Sequence, residues 1–145
     1  MKGRIYANKN GFVVRFGREI SKWFKTREQA ERFLTGLRYE TDKGSFDPRD
    51  YAPGKPLAFQ NLKADFLKAW KQRVKPSSYR NIKNYLERAE KAWMDRNVKT
   101  ISAADIEDLL WSQDGISDKT RANMKSGLHS FFQWTYDREL IDKMP

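Results

Sequence analysis

Gly11-Phe12-Val13-Val14-Arg15-Phe16-Gly17-Arg18-Glu19-Ile20-Ser21-Lys22-Trp23-Phe24 decides the fold of the first half of the chain. Two short runs rich in β-branched and aromatic residues are joined by Gly17-Arg18. A third, Gly3-Arg4-Ile5-Tyr6, precedes them across Asn8-Lys9-Asn10-Gly11. Turn residues between such runs predict a three-stranded antiparallel meander. Alternation along a strand puts Phe12, Val14 and Phe16 on one face, with Ile20, Lys22 and Phe24 beside them. The opposite face then carries Val13, Arg15, Ser21, Trp23 and Lys25, together with Arg4 and Tyr6.

Thr26 follows as an N-cap, with Glu28 and Gln29 in the first turn. Ala30, Phe33, Leu34 and Leu37 make a helical stripe that predicts a helix lying on the apolar sheet face. The basic, aromatic face is left open. Residues 44–56 hold three of the five Pro and two of the eight Gly, which predicts an extended linker.

Beyond Pro56 the period changes to that of helices. Phe59, Leu62, Phe66, Trp70 and Val74 step by three or four, as do Tyr79, Ile82, Leu86, Ala89 and Trp93, with Pro76 between the two stripes. Ile101-Ser102-Ala103-Ala104-Asp105-Ile106 reads as a capping box with its hydrophobic staple, opening a short helix to about residue 113. Ser117 or Asp118 caps a last helix, whose stripe is Met124, Leu128, Phe131 and Thr135. The expected fold is α+β: a three-stranded antiparallel sheet with one helix over 1–43, a linker, then an all-α domain of four helices over 57–145.

Charge narrows the function. The chain has 29 Lys and Arg against 19 Asp and Glu, a net charge of +10, which favours a polyanionic partner. Residues 71–84 carry Lys71, Arg73, Lys75, Arg80 and Lys83 and no acid, whereas residues 101–114 carry four acids and no base. Without Cys there is neither a disulfide framework nor a thiolate site, and His129 alone cannot build a His-based metal cluster. No metal or cofactor is expected. The N-terminus lacks an apolar signal segment and the longest apolar runs are three residues, so neither secretion nor membrane insertion is expected, and the compartment predicted is the cytoplasm.

These residues resemble the N-terminal part of a phage-type tyrosine recombinase, an integrase. Gly11-Phe12-Val13-Val14-Arg15-Phe16 and Phe24-Lys25-Thr26-Arg27-Glu28-Gln29-Ala30-Glu31-Arg32-Phe33-Leu34 resemble its arm-binding domain. Pro76-Ser77-Ser78-Tyr79-Arg80-Asn81, Ser117-Asp118-Lys119-Thr120-Arg121-Ala122-Asn123-Met124, Phe131-Phe132-Gln133-Trp134 and Met144-Pro145 resemble its helical, SAM-like core-binding domain. The resemblance implies double-stranded DNA as partner, with other protomers of a tetrameric full-length recombinase. It also implies a Tyr nucleophile, forming a covalent 3'-phosphotyrosyl intermediate, in a later domain. His129 is followed by Ser130-Phe131-Phe132, so the His-x-x-Arg element of that chemistry is missing, and the chain is expected to bind DNA without cleaving it.

Three DNA-contact groups follow. On the sheet face they are Arg4, Tyr6, Arg15, Trp23 and Lys25, because a narrow sheet fits the major groove; the alternative is ordinary solvated β-surface. At one helix start they are Lys75, Ser77, Ser78, Arg80, Lys83 and Asn84, where backbone N–H groups, hydroxyls and cations suit a phosphate. At the other they are Ser117, Lys119, Thr120, Arg121, Asn123 and Lys125. Both helix starts otherwise read as capped ends with solvated basic flanks. Trp70, Trp93 and Trp134 read as core, and Asp105, Glu107 and Asp108 as dipole-favoured acids. A stand-alone duplex-binding regulator, or an adaptor for RNA or protein, would use the same surfaces.

Overall fold

The computed structural model describes residues 2–145, and its layout is α+β, a three-stranded antiparallel sheet followed by five α-helices. Two compact units divide the chain, Met1–Gly54 and Lys55–Pro145. Among the described residues no helix is long and apolar enough to cross a membrane.

In the first unit, β1 (Arg4–Asn8), β2 (Gly11–Phe16) and β3 (Ile20–Phe24) pair in the order β1-β2-β3. The register sets Tyr6 opposite Val13 and Val13 opposite Trp23, and sets Arg4 opposite Arg15 and Arg15 opposite Ser21. Asn8 Oδ1 accepts from the N–H groups of Asn10 and Gly11, which closes the first turn. Gly17 turns the chain into β3 at φ +62°, a backbone that suits glycine. Helix α1 (Arg27–Lys43) starts where the Thr26 hydroxyl accepts from Gln29 N–H and stops at Gly44 in the left-handed region. Its Ala30, Leu34 and Leu37 bury against Val14, Phe16 and Ile20. This is the layering the alternation predicts, and it leaves the other face uncovered.

The stretch read as a linker is mostly something else. Phe46 packs on Phe16 with ring centroids 5.2 Å apart, and Tyr51 packs edge-on against Phe33 at 5.8 Å. The Tyr51 hydroxyl donates to both carboxylate oxygens of Glu40 at 2.7 Å. Burial, and after it that hydrogen bond, pushes the hydroxyl above the ordinary tyrosine range. Two aromatic rings burying apolar area outweigh the extended tendency of the Pro residues around them. Residues 46–51 therefore belong to the first unit, and Leu57 already lies in the second core.

The second unit holds α2 (Phe59–Trp70), α3 (Pro76–Trp93), α4 (Ala103–Trp111) and α5 (Asp118–Asp137). Phe59, Phe66, Trp93, Phe131, Phe132 and Trp134 form one aromatic core, with Trp70 stacked on Phe66 at 5.0 Å. Helix α2 has no side-chain cap. Its first N–H groups, on Phe59 and Gln60, instead donate to the carbonyls of Arg96 and Met94 in the loop after α3. The capping box at α4 forms as predicted, with Asp105 also held by Arg96 at 2.8 Å. The Ser102 backbone N–H and hydroxyl, then Arg96, keep the Asp105 carboxyl below its usual range.

Candidate nucleic-acid interface

The open face of the sheet is a ladder of three cross-strand rows. Arg4, Arg15 and Ser21 form the first and Tyr6, Val13 and Trp23 the second. Asn8 and Gly11 begin the third, which extends towards Lys25 just beyond β3. None of the described residues that make up these rows is acidic. Two arginines directly opposite each other repel and destabilise a sheet unless an anion lies between or above them. No salt bridge among the described residues engages Arg4, Arg15 or Lys25, and all three are exposed.

The aromatic side chains here are held by the sheet itself. Tyr6 is 47% and Trp23 50% exposed, high values for such rings. The Arg15 guanidinium stands 5.7 Å from the Tyr6 ring centre. The Trp23 indole lies across Gly11: a Cβ there would be 2.7 Å from Trp23 Nε1 and 2.5 Å from the Phe24 carbonyl oxygen. Gly11 is thus required by close approach rather than by its backbone angles. In the sequence Gly11 stands at a turn and opens a strand run, and its role as the bed for Trp23 depends on a cross-strand contact that no local pattern marks.

The two helix starts, alike in sequence, differ in structure. At α3 the N-cap is Lys75, which makes no side-chain cap bond, and Pro76 occupies the first turn. The N–H groups of Ser77 and Ser78 point from an uncapped start. Lys75, Ser77, Arg80, Lys83 and Asn84 are exposed and Ser78 is half-buried. Lys83 is 3.9 Å from Glu87, an exposed and weak pair, and Asn84 accepts from Arg88 Nε at 3.0 Å. The basic cluster continues back through Arg73 and Lys71.

At α5 the start is closed. The Ser117 hydroxyl accepts from Thr120 N–H and donates to the Thr120 hydroxyl. Arg121, grouped with the DNA contacts in the sequence, is committed inside the protein. Its Nε donates to the Leu110 carbonyl at 3.0 Å and its Nη2 to the Gln113 carbonyl at 3.4 Å, while its Nη1 meets Asp118. The guanidinium also lies 4.5 Å from the Trp111 ring centre. Arg121 ties α5 to the end of α4, whose last carbonyls lack helical partners. Its donors are thus largely taken up within the protein. Lys119, Asn123 and Lys125 remain exposed.

Helices α3 and α5 meet where Gly127 faces Tyr85 and Ile82, a Cβ on Gly127 falling 3.1 Å from Tyr85 Cδ2. Each start lies nine residues, about 14 Å, from that crossing, so the two starts stand no more than about 30 Å apart. A single turn of duplex spans that distance. His129 is exposed on α5, and among the described residues no cluster of three His, Asp or Glu side chains is placed to hold a metal ion.

No protein-family model matches the chain, and comparisons with curated proteins and with solved structures return no match.

Proposed function

We propose that this chain is a bipartite duplex-DNA-binding module, the N-terminal region of a phage-type tyrosine recombinase. The sheet face of the first unit holds arm-type sites. The second unit, a SAM-like core-binding domain, holds the core site through the open start of α3 and the flank of α5. The observation that carries the reading is the open sheet face whose rows hold no acid, with Arg4 set against Arg15 and two half-exposed aromatics beside them. Such a face meets a polyanion better than it meets water or an ordinary protein surface.

The width of the sheet supports a duplex. Three strands span about 10 Å between outer axes, close to the roughly 12 Å major groove and too wide for the roughly 6 Å minor groove. The chain's role is positioning. Strand cleavage, through a 3'-phosphotyrosyl intermediate, belongs to the parent recombinase acting as a tetramer on DNA.

Titrating a labelled duplex at several salt concentrations tests the reading. With about six phosphates contacted, affinity falls roughly a thousandfold between 50 and 200 mM salt. A flat response removes the electrostatic basis of the proposal.

A further inference from the structure

Granted duplex binding by the sheet face, as proposed above, we infer that Val13 and Arg15 read base identity. Val13 packs on the 5-methyl group of a thymine and Arg15 bonds a guanine two base pairs away. Both residues lie on β2, the central strand, so they sit deepest when the sheet enters a groove. The flanking strands bring Arg4, at the end of one row, and Lys25, just beyond β3, nearer the groove walls, where phosphates line both sides.

The middle row is apolar from edge to edge. Tyr6 and Trp23 bracket Val13, which is half-buried. The Trp23 indole crosses Gly11, and the Arg15 guanidinium stands over Tyr6 on β1. Val13 is thus the centre of an apolar row, and the thymine methyl is the one apolar group that the major groove presents.

Arg15 supplies the second contact. One face of its guanidinium rests on Tyr6 and no acid engages its donor edge among the described residues. A planar fork with its donors outward matches O6 and N7 of guanine. Val13 and Arg15 are two residues apart, about 6.8 Å along a strand, which is about two base-pair steps of 3.4 Å.

The test uses two randomised duplex libraries, one with thymine and one with deoxyuridine in its place, the latter lacking only the 5-methyl group. The full chain selects from each. The thymine library should yield a G·C pair two steps from an A·T pair, and the deoxyuridine library should keep the first and lose the second. Replacing the selected thymine by deoxyuridine should weaken binding about fourfold, the effect of one buried methyl. Val13→Ser and Val13→Asn, neither of which carries a methyl group, should make the two duplexes equivalent, and Arg15→Ala should erase the guanine preference. Equal affinity for thymine and deoxyuridine duplexes, or a methyl effect that survives both Val13 variants, overturns the assignment while leaving duplex binding intact. Failure to select or bind either duplex would instead sink the parent proposal.

Discussion

Replacing Arg121 by Ala should unfold the second unit at much lower temperature, although the sequence presents Arg121 as one more basic residue at a helix start. The side chain is 17% exposed and donates to the carbonyls of Leu110 and Gln113. Hydrogen bonds from a charged donor contribute about 1.5–3 kcal/mol each when buried. The longer one, at 3.4 Å, counts for little. The contact with Trp111, 66% exposed, adds about 0.5–1 kcal/mol. Asp118 is fully exposed and adds nothing dependable. The sum is about 3 kcal/mol. For a unit of this size each kcal/mol moves the midpoint by roughly 4–8 °C, so Arg121→Ala should melt more than about 10 °C below the parent. Four of the five Trp lie in this unit, so tryptophan fluorescence follows its melting. Arg121→Lys keeps the charge and loses the planar fork, and should fall nearly as far. Arg80→Ala, exposed and outside the core, should stay within about 0.5 kcal/mol of the parent. Arg121→Ala melting within about 2 °C of Arg80→Ala would refute the reasoning.

Gly11→Ala should destabilise the first unit and displace the Trp23 ring, because the new Cβ meets a backbone carbonyl at 2.5 Å; chemical denaturation and the Trp23 indole resonance read the two effects. Tyr51→Phe should lower the stability of the first unit by about 1–2 kcal/mol and speed proteolytic cleavage at residues 45–54, since the hydroxyl's bond to the Glu40 carboxylate is lost. Asp105, held below its usual value of 3.8 by Ser102 and Arg96, contributes stability that is present above about pH 4 and is lost as pH falls through its folded value. Acid unfolding of Asp105→Asn should therefore show a shallower slope in that range than the parent. Arg15→Ala with Lys25→Ala should weaken arm-site protection in footprinting while Lys75→Ala with Arg80→Ala weakens core-site protection. Equal loss at both regions would contradict a bipartite surface.

The strands were legible because a two-residue alternation leaves no choice of face once Val14 and Phe16 are inside. The capping box and the stripe from Met124 to Thr135 were legible for the same reason, a local pattern with one structural solution. What escaped depends on contacts distant in sequence. Phe46 and Tyr51 stand singly among Pro, Asp and Gly, with no period to mark them, and only the rings of Phe16 and Phe33 reveal their place. Arg121 and Arg80 share a residue type and a position near a helix start. The difference lies in the carbonyls of Leu110 and Gln113, which face one and not the other. Likewise the missing cap of α2 is supplied from beyond α3, a pairing no local motif encodes.

The central claim is that the open sheet face of the first unit lies against duplex DNA, and the Trp23 indole N–H reports on that face directly. The ring is half exposed and fixed over Gly11, so its resonance in a nitrogen–proton correlation spectrum responds to anything placed on the sheet. Titration with duplex at low salt should shift Trp23, with the backbone amides of Val13 and Arg15, in proportion to bound DNA, while Leu34 and Leu37 beneath the sheet stay in place. Saturable duplex binding that leaves the Trp23, Val13 and Arg15 resonances unmoved would contradict the account.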